Sequence, residues 1–227
     1  MAQESYPEFF DVAEKLFLLE NGSDSKIVWL PSPCLQSAID VIDTTVRQIL
    51  NPLDQHPRAI DLACGLGRDA TFLAIRGWEV TAVDYLEKQI SRVPQFASRY
   101  AADHLIKPLL LDLEATSYPL TVLPDDHYHL VNVARYLHRP LFSEIKRIIA
   151  PGGYICYHTF MDGCQDTKIG RPRRPQFLLQ HGELRNVFSP PEFDCIMDTI
   201  HMLPDSRPTS LFVARKRLCN SPDPTIG

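Results

Sequence analysis

The sequence predicts an α/β domain: a three-layer, doubly wound sheet of seven strands, mostly parallel, with an antiparallel strand at its C-terminal end. Three observations carry that prediction. From residue 58 onward, short apolar runs alternate strictly with amphipathic stretches. That order implies right-handed crossovers and a parallel sheet with helices on both faces. A glycine turn joins the first apolar run to the first amphipathic one. Near the end, two apolar runs are separated only by the short polar turn Pro204–Pro208, so they must pair antiparallel.

Taken in order, residues 8–20 place Phe9, Val12, Ala13, Leu16, Phe17 and Leu19 near helical spacing, with Asn21-Gly22 as the stop. After Pro31-Ser32-Pro33 a second helical pattern runs to about residue 50 and closes at Asn51-Pro52. Residues 1–57 thus form an N-terminal helical lid or cap, residues 58–217 the main domain, and residues 218–227 a flexible tail. Within the main domain, Arg58–Cys64 reads as a strand, 66–76 as a helix ended by Gly77, and Trp78–Asp84 as a strand. A weaker helix interrupted by Pro94 follows, then strands Lys107–Asp112 and His129–Tyr136. Residues 140–150 read as a helix stopping at Pro151-Gly152-Gly153, and Tyr154–Phe160 as the fifth strand. The polar stretch 161–180 is long enough to suggest a functional loop. A short helix at His181–Phe188 and the strands Phe193–Leu203 and Thr209–Arg217 complete the chain.

Composition narrows the function. The chain has 227 residues, 44% hydrophobic and 22% charged, as globular domains do. A formal charge of −5 lacks the basic excess of a dedicated nucleic-acid binder, so a nucleic-acid partner is not favoured. The six cysteines are scattered without a C-x-x-C pair, which predicts reduced thiols and a cytoplasmic protein. No secretory leader or membrane span is expected. His127 and His129 share a strand face, but no third ligand stands at suitable spacing, so no metal is expected.

The sharpest local feature is Asp61-Leu62-Ala63-Cys64-Gly65-Leu66-Gly67-Arg68-Asp69-Ala70, followed by Val80–Asp84. Strand, glycine turn, helix and a second strand ending in an acid describe a nucleotide-binding half, with Asp84 placed for ribose hydroxyls. Gly65, Gly67 and Ala70 also fit the dinucleotide fingerprint. Asp61 favours a different ligand. A carboxylate at the end of the first strand opposes a pyrophosphate but suits the ammonium and sulfonium of S-adenosylmethionine.

With Asp61, Ala63, Gly65 and Gly67 in an acid-x-Gly-x-Gly-x-Gly pattern, the chain resembles the class I S-adenosylmethionine-dependent methyltransferases; Ala63 replaces the first glycine. The resemblance implies their Rossmann-like methyltransferase fold, with the antiparallel strand inserted beside the fifth. Arg135-Tyr136-Leu137-His138-Arg139, Pro151-Gly152-Gly153 and the stretch from Phe177 through Gly182-Glu183-Leu184 to Arg185 resemble the tellurite-resistance (TehB-like) methyltransferases and relatives fused to rhodanese domains. Residues 58–217 would then be an S-adenosylmethionine-binding domain. Asp61, Ala63, Gly65 and Gly67 would line the methionine part of the cofactor, and Asp84 with Tyr85 the ribose. Asp112 and Leu113 would flank the adenine, and Asn132 to Arg135 would face the methyl group. Arg68, Arg185, Phe177 and Tyr136 would belong to the acceptor pocket, whereas His201 aligns poorly.

Methyl transfer from a sulfonium needs alignment and exclusion of water more than acid–base help. A nitrogen or oxygen acceptor would need a base, for which His158 on the fifth strand and His138 are candidates. Arg68 and Arg135 follow strand ends and suit an oxyanion, while Arg68 equally suits a bracing pair with Asp61 or Asp84. Arg171, Arg173 and Arg174 form a basic loop that suits either an anionic substrate or solvent. Three functions remain open at this point. The first is methylation of a small molecule: a thiol, a chalcogen oxyanion or a xenobiotic. The others are methylation of RNA or protein, and cofactor binding without catalysis as a regulatory subunit. A dehydrogenase is the outside option. Oligomeric state is left open.

Overall fold

The computed structural model describes residues 29–50, 53, 54 and 56–218. The expected helix at 8–20 and the tail beyond Leu218 lie outside the described residues. Seven strands, β1 (Arg58–Leu62), β2 (Glu79–Asp84), β3 (Ile106–Leu110), β4 (Tyr128–Ala134), β5 (Ile149–Phe160), β6 (Phe193–Met202) and β7 (Pro208–Lys216), form one sheet ordered β3-β2-β1-β4-β5-β7-β6. The first five are parallel, and β7 runs antiparallel between β5 and β6.

The helices are α1 (Pro33–Ile49), α2 (Arg68–Ile75), α3 (Glu87–Ile90), α4 (Val93–Ser98), α5 (Phe142–Ile148) and α6 (Glu183–Val187). Strand alternation divides the core into two layers. On one face, Leu35, Ile39, Ile42 and Val46 of α1 and Leu73 of α2 pack over Val80, Leu130, Cys156 and Val213. On the other, Ile145 and Ile148 of α5 and Leu184 of α6 pack over Ile60, Val131, Ile155 and Phe212. α1 is therefore part of the core, its apolar residues recurring at helical spacing behind Pro33 at its first turn. Asp43 fastens it to the α2–β2 corner by accepting from Trp78 Nε1 (2.5 Å) and Arg76 Nε (2.7 Å).

Several boundaries differ from the sequence expectation. The stretch around Pro94 is two short helices, because Pro94 tolerates only the first turn of α4. Strand β5 begins at Ile149 rather than Tyr154. Pro151-Gly152-Gly153 stops the helix but continues as strand, with an irregularity in the β4–β5 register opposite it. Strand β3 ends at Leu110 and β4 at Ala134, so Asp112 and Arg135 sit on the loops beyond the strands.

Candidate functional site

The loop after β1 turns by three residues in left-handed conformation: Ala63 (φ 57°), Gly65 (φ 57°) and Gly67 (φ 75°). Gly67 is required twice, since a Cβ there would also meet Val93 Cγ1 at 2.3 Å. Ala63, which departs from the glycine pattern, carries a backbone cost as well as a methyl group. Asp84 at the end of β2 builds the same loop. One carboxylate oxygen accepts the Gly65 N–H and the other the Leu86 N–H, both at 2.9 Å.

Beneath the loop, on the α1/α2 face, lies a buried polar cluster. Asp61 and Asp69 are only 2% and 4% exposed. The Asn132 side-chain amide donates to both, at 2.8 and 3.2 Å. Asp61 also accepts the Ala70 N–H from the first turn of α2, and Asp69 the Ser32 N–H ahead of α1. Burial and then the Asp69 charge push the Asp61 carboxyl up to about 8, against the pull of its hydrogen bonds and Arg68. Arg68 leans toward Asp69 at 3.7 Å, its pairing partner in place of Asp61 or Asp84. Ser32 Oγ, Arg68 Nε, Asn132 Oδ1 and both ring nitrogens of His158 are buried here or nearby without a hydrogen-bond partner. Two carboxylates at the start of α2, one already holding an amide of its first turn, occupy the place a pyrophosphate would need. These accepting carboxyl groups fit the cationic methionine end of S-adenosylmethionine instead.

Two clefts open at the C-terminal ends of the strands. One, of about 340 Å³, is lined by Ala63, Asp84, Tyr85, Leu111, Asp112, Leu113, Glu114 and Tyr136. It gathers five of the residues expected to hold ribose, adenine and the sulfur end: Ala63, Asp84, Tyr85, Asp112 and Leu113. Its apolar floor includes buried Leu113, and Asp112 accepts the Glu114 N–H at 2.9 Å. The second, of about 310 Å³, is lined by Glu114, Arg135, Tyr136, Leu137, Thr159, Phe160, Pro172 and Phe177. Glu114 and Tyr136 belong to both, and the Tyr136 hydroxyl donates to Glu114 at 3.2 Å across their boundary.

The conspicuous motif from Phe177 to Arg185 works as a bracket. Glu183 accepts two hydrogen bonds from the Arg139 guanidinium (2.6 and 2.9 Å), and Arg139 also donates to the Gln176 and Leu178 carbonyls. Burial would raise the Glu183 carboxyl, but Arg139 and the Gln180 amide hold it below its ordinary range. This bracket sets Phe177 into the second cleft. Arg185 does not reach either cleft; it stands exposed on α6, its charge felt by Cys195.

His158 is 1% exposed and lines neither cleft. Burial, then Arg135, pushes its pKa down to about 4. It is thus neutral near pH 7 and lies behind the acceptor cleft. His129 Nδ1 accepts the Arg58 N–H at the opposite end of the sheet. Among the described residues no group of three or more His, Cys, Asp or Glu is placed to hold a metal, and no helix is long and apolar enough to cross a membrane.

Among the site residues that sequence reasoning missed are Asp69, Glu114 and Ser32, together with Phe160 and Pro172 of the second cleft. An acid in the first turn of a helix reads as an ordinary dipole partner, so Asp69 gave no separate signal. Glu114 lies in a polar loop without periodicity.

Comparison with known proteins bears on the same residues. Residues 59–153 match the family model of a methyltransferase domain. An uncharacterized protein of Schizosaccharomyces pombe is 23% identical over 88% of this chain and 67% of its own length. The malonyl-[acyl-carrier protein] O-methyltransferase of Salmonella typhimurium is 31% identical over 48% of this chain, and the match spans only 41% of that enzyme. In fold, TehB from Haemophilus influenzae superposes with a TM-score of 0.59 at 18% identity, over 90% of this chain and 67% of TehB. Residues 59–153 thus match a methyltransferase domain, and the chain as a whole has the fold of S-adenosylmethionine-dependent methyltransferases such as TehB.

Proposed function

We propose that the chain moves a methyl group from S-adenosylmethionine, bound in the Asp84 cleft, to a small-molecule acceptor in the Arg135 cleft. The observation that carries this is the shared wall: two clefts of ligand size meet at Tyr136 and Glu114. Bound there, the cofactor supplies a sulfonium-activated methyl carbon. Asp84 would orient the ribose with lone pairs left over from its two backbone bonds. The Asp61–Asp69–Asn132 cluster would face the ammonium, Tyr85 would lie with Asp84 beside the ribose, and Asp112 and Leu113 would flank the base. Phe160, Pro172 and Phe177 would exclude water around the acceptor, which is where most of the rate arises for an already activated methyl group. The one carboxylate lining the acceptor cleft, Glu114, is engaged by the Tyr136 hydroxyl and no histidine lines that cleft, which suits an acceptor that needs no deprotonation there.

The test is transfer of labelled methyl into an extract fractionated into small molecules, RNA and protein. Label in the small-molecule fraction supports the proposal. Label confined to RNA or protein, or cofactor binding without transfer, contradicts it.

A further inference from the structure

The acceptor cleft has an electrostatic polarity that the cofactor does not explain. At the cofactor end, Glu114 is held by the Tyr136 hydroxyl. On the cleft wall stands Arg135, whose guanidinium makes no hydrogen bond or ion pair among the described residues. Three other arginines nearby stand against a carboxylate. Arg139 is held by Glu183, Arg207 by Asp205, and Arg68 leans on Asp69. The Arg135 backbone is also strained: a non-glycine residue at φ 58°, with its N–H donating to the His158 carbonyl at 2.6 Å. Backbone strain of this kind clusters at functional sites. Burial, followed by the nearby charges of Arg68 and Arg207, disfavours the charged form of Arg135, so an anion brought beside it would relieve a real cost.

Away from Glu114 and Tyr136, and apart from Thr159, the rest of the cleft wall is apolar. Leu137, Phe160, Pro172 and Phe177 face Arg135 across about 310 Å³. Phe160 is fixed by the Arg207 guanidinium stacked 4.7 Å from its ring centre, and Phe177 by the Arg139–Glu183 bracket. A small inorganic oxyanion would fill only the Arg135 end and leave these aromatic walls wet. Binding energy there demands an apolar body attached to the anion.

We propose that the methyl acceptor is an organic acid, its carboxylate anchored by the Arg135 fork and its flat apolar body lying between Phe160, Pro172 and Phe177. The geometry of a planar guanidinium favours two parallel bonds to a carboxylate. This rests on the two-cleft reading above, though the anchoring itself does not depend on the cofactor.

The probe is trans-cinnamate, compared with the isosteric neutral cinnamamide and with sulfate. Binding is followed by ligand-observed NMR on the free chain and on the chain loaded with S-adenosylhomocysteine. Cinnamate should bind at least ten-fold more tightly than cinnamamide and than sulfate. Arg135→Gln should erase the preference for the carboxylate while leaving S-adenosylhomocysteine affinity within about two-fold. Equal binding of cinnamate and cinnamamide to the wild-type chain would overturn the proposal without any variant. Sulfate binding as well as cinnamate would overturn the apolar half of it. Cinnamate discrimination on a chain that fails to bind S-adenosylhomocysteine would uphold the anchor and sink the cofactor placement instead.

Discussion

Removing the Asp84 carboxylate should damage the fold before it damages ligand binding. Asp84 is 6% exposed and each of its oxygens holds a loop amide, Gly65 N–H or Leu86 N–H, at 2.9 Å. A hydrogen bond to a charged group contributes about 1.5–3 kcal/mol, and the donor left behind is costly when water cannot reach it. Gly65 and its neighbours are only partly buried, so the lower end applies, giving about 3 kcal/mol for the two bonds lost in Asp84→Ala. For a chain of this size that corresponds to a melting point lowered by about 6–12 °C. Asp84→Asn keeps one acceptor oxygen and should lose roughly half as much. Thermal unfolding followed by circular dichroism measures both. The ribose contact is then read from Asp84→Asn alone, titrated with S-adenosylhomocysteine at a temperature where it is folded; affinity should fall about ten-fold, or ~1.4 kcal/mol. An Asp84→Ala protein melting within about 2 °C of the wild type would refute the loop-building role. A normal melting deficit with unchanged affinity in Asp84→Asn would refute the ribose placement alone.

Three further outcomes are expected. Ala63→Gly relieves a left-handed alanine and should raise stability by ~0.5–1 kcal/mol, visible as a melting point one to a few degrees higher; a drop would mean the methyl packs usefully. Asp61, its carboxyl raised by burial and Asp69, keeps its proton in the folded chain while the unfolded chain ionises. Its contribution to stability should therefore decline as pH rises from about 4 to about 8 and level off above, measured by unfolding across pH 5–9. If the cofactor's ammonium sits beside it, binding S-adenosylhomocysteine at pH 7 should release up to one proton, seen as heats that depend on the buffer; buffer-independent heats would contradict that placement. Finally, Arg139→Gln unfastens the Phe177 loop. Limited proteolysis within 171–182 should quicken and acceptor KM should rise, with S-adenosylhomocysteine affinity unchanged; an unchanged digestion pattern would show that the bracket does not hold the loop.

Much of this was legible in the chain because local chemistry and global fold agree. Alternating periods announced β1 to β5, and the turn at 204–208 announced the β6–β7 pair, since neither depends on distant contacts. The two clefts likewise follow from residues just past strand ends, where Ala63, Asp84, Asp112 and Arg135 stand close to their expected places. What the sequence hid depends on long-range geometry. That Asp61, on the α1/α2 face of β1 beneath the loop, is linked through Asn132 to Asp69 could not be read from spacing. His158 carries the right chemistry for a base, yet side-chain alternation on β5 buries it behind the cleft. Arg185 belongs to a specific motif, and there the useful residue is its neighbour Glu183, whose partner Arg139 lies 44 positions away.

The most direct test is a calorimetric titration of the chain with S-adenosylhomocysteine and, separately, with NAD. A carboxylate pair at the start of α2 and an Asp84 cleft of about 340 Å³ predict saturable one-to-one binding of S-adenosylhomocysteine and no heat with NAD. Binding of NAD without S-adenosylhomocysteine would contradict the assignment of this site.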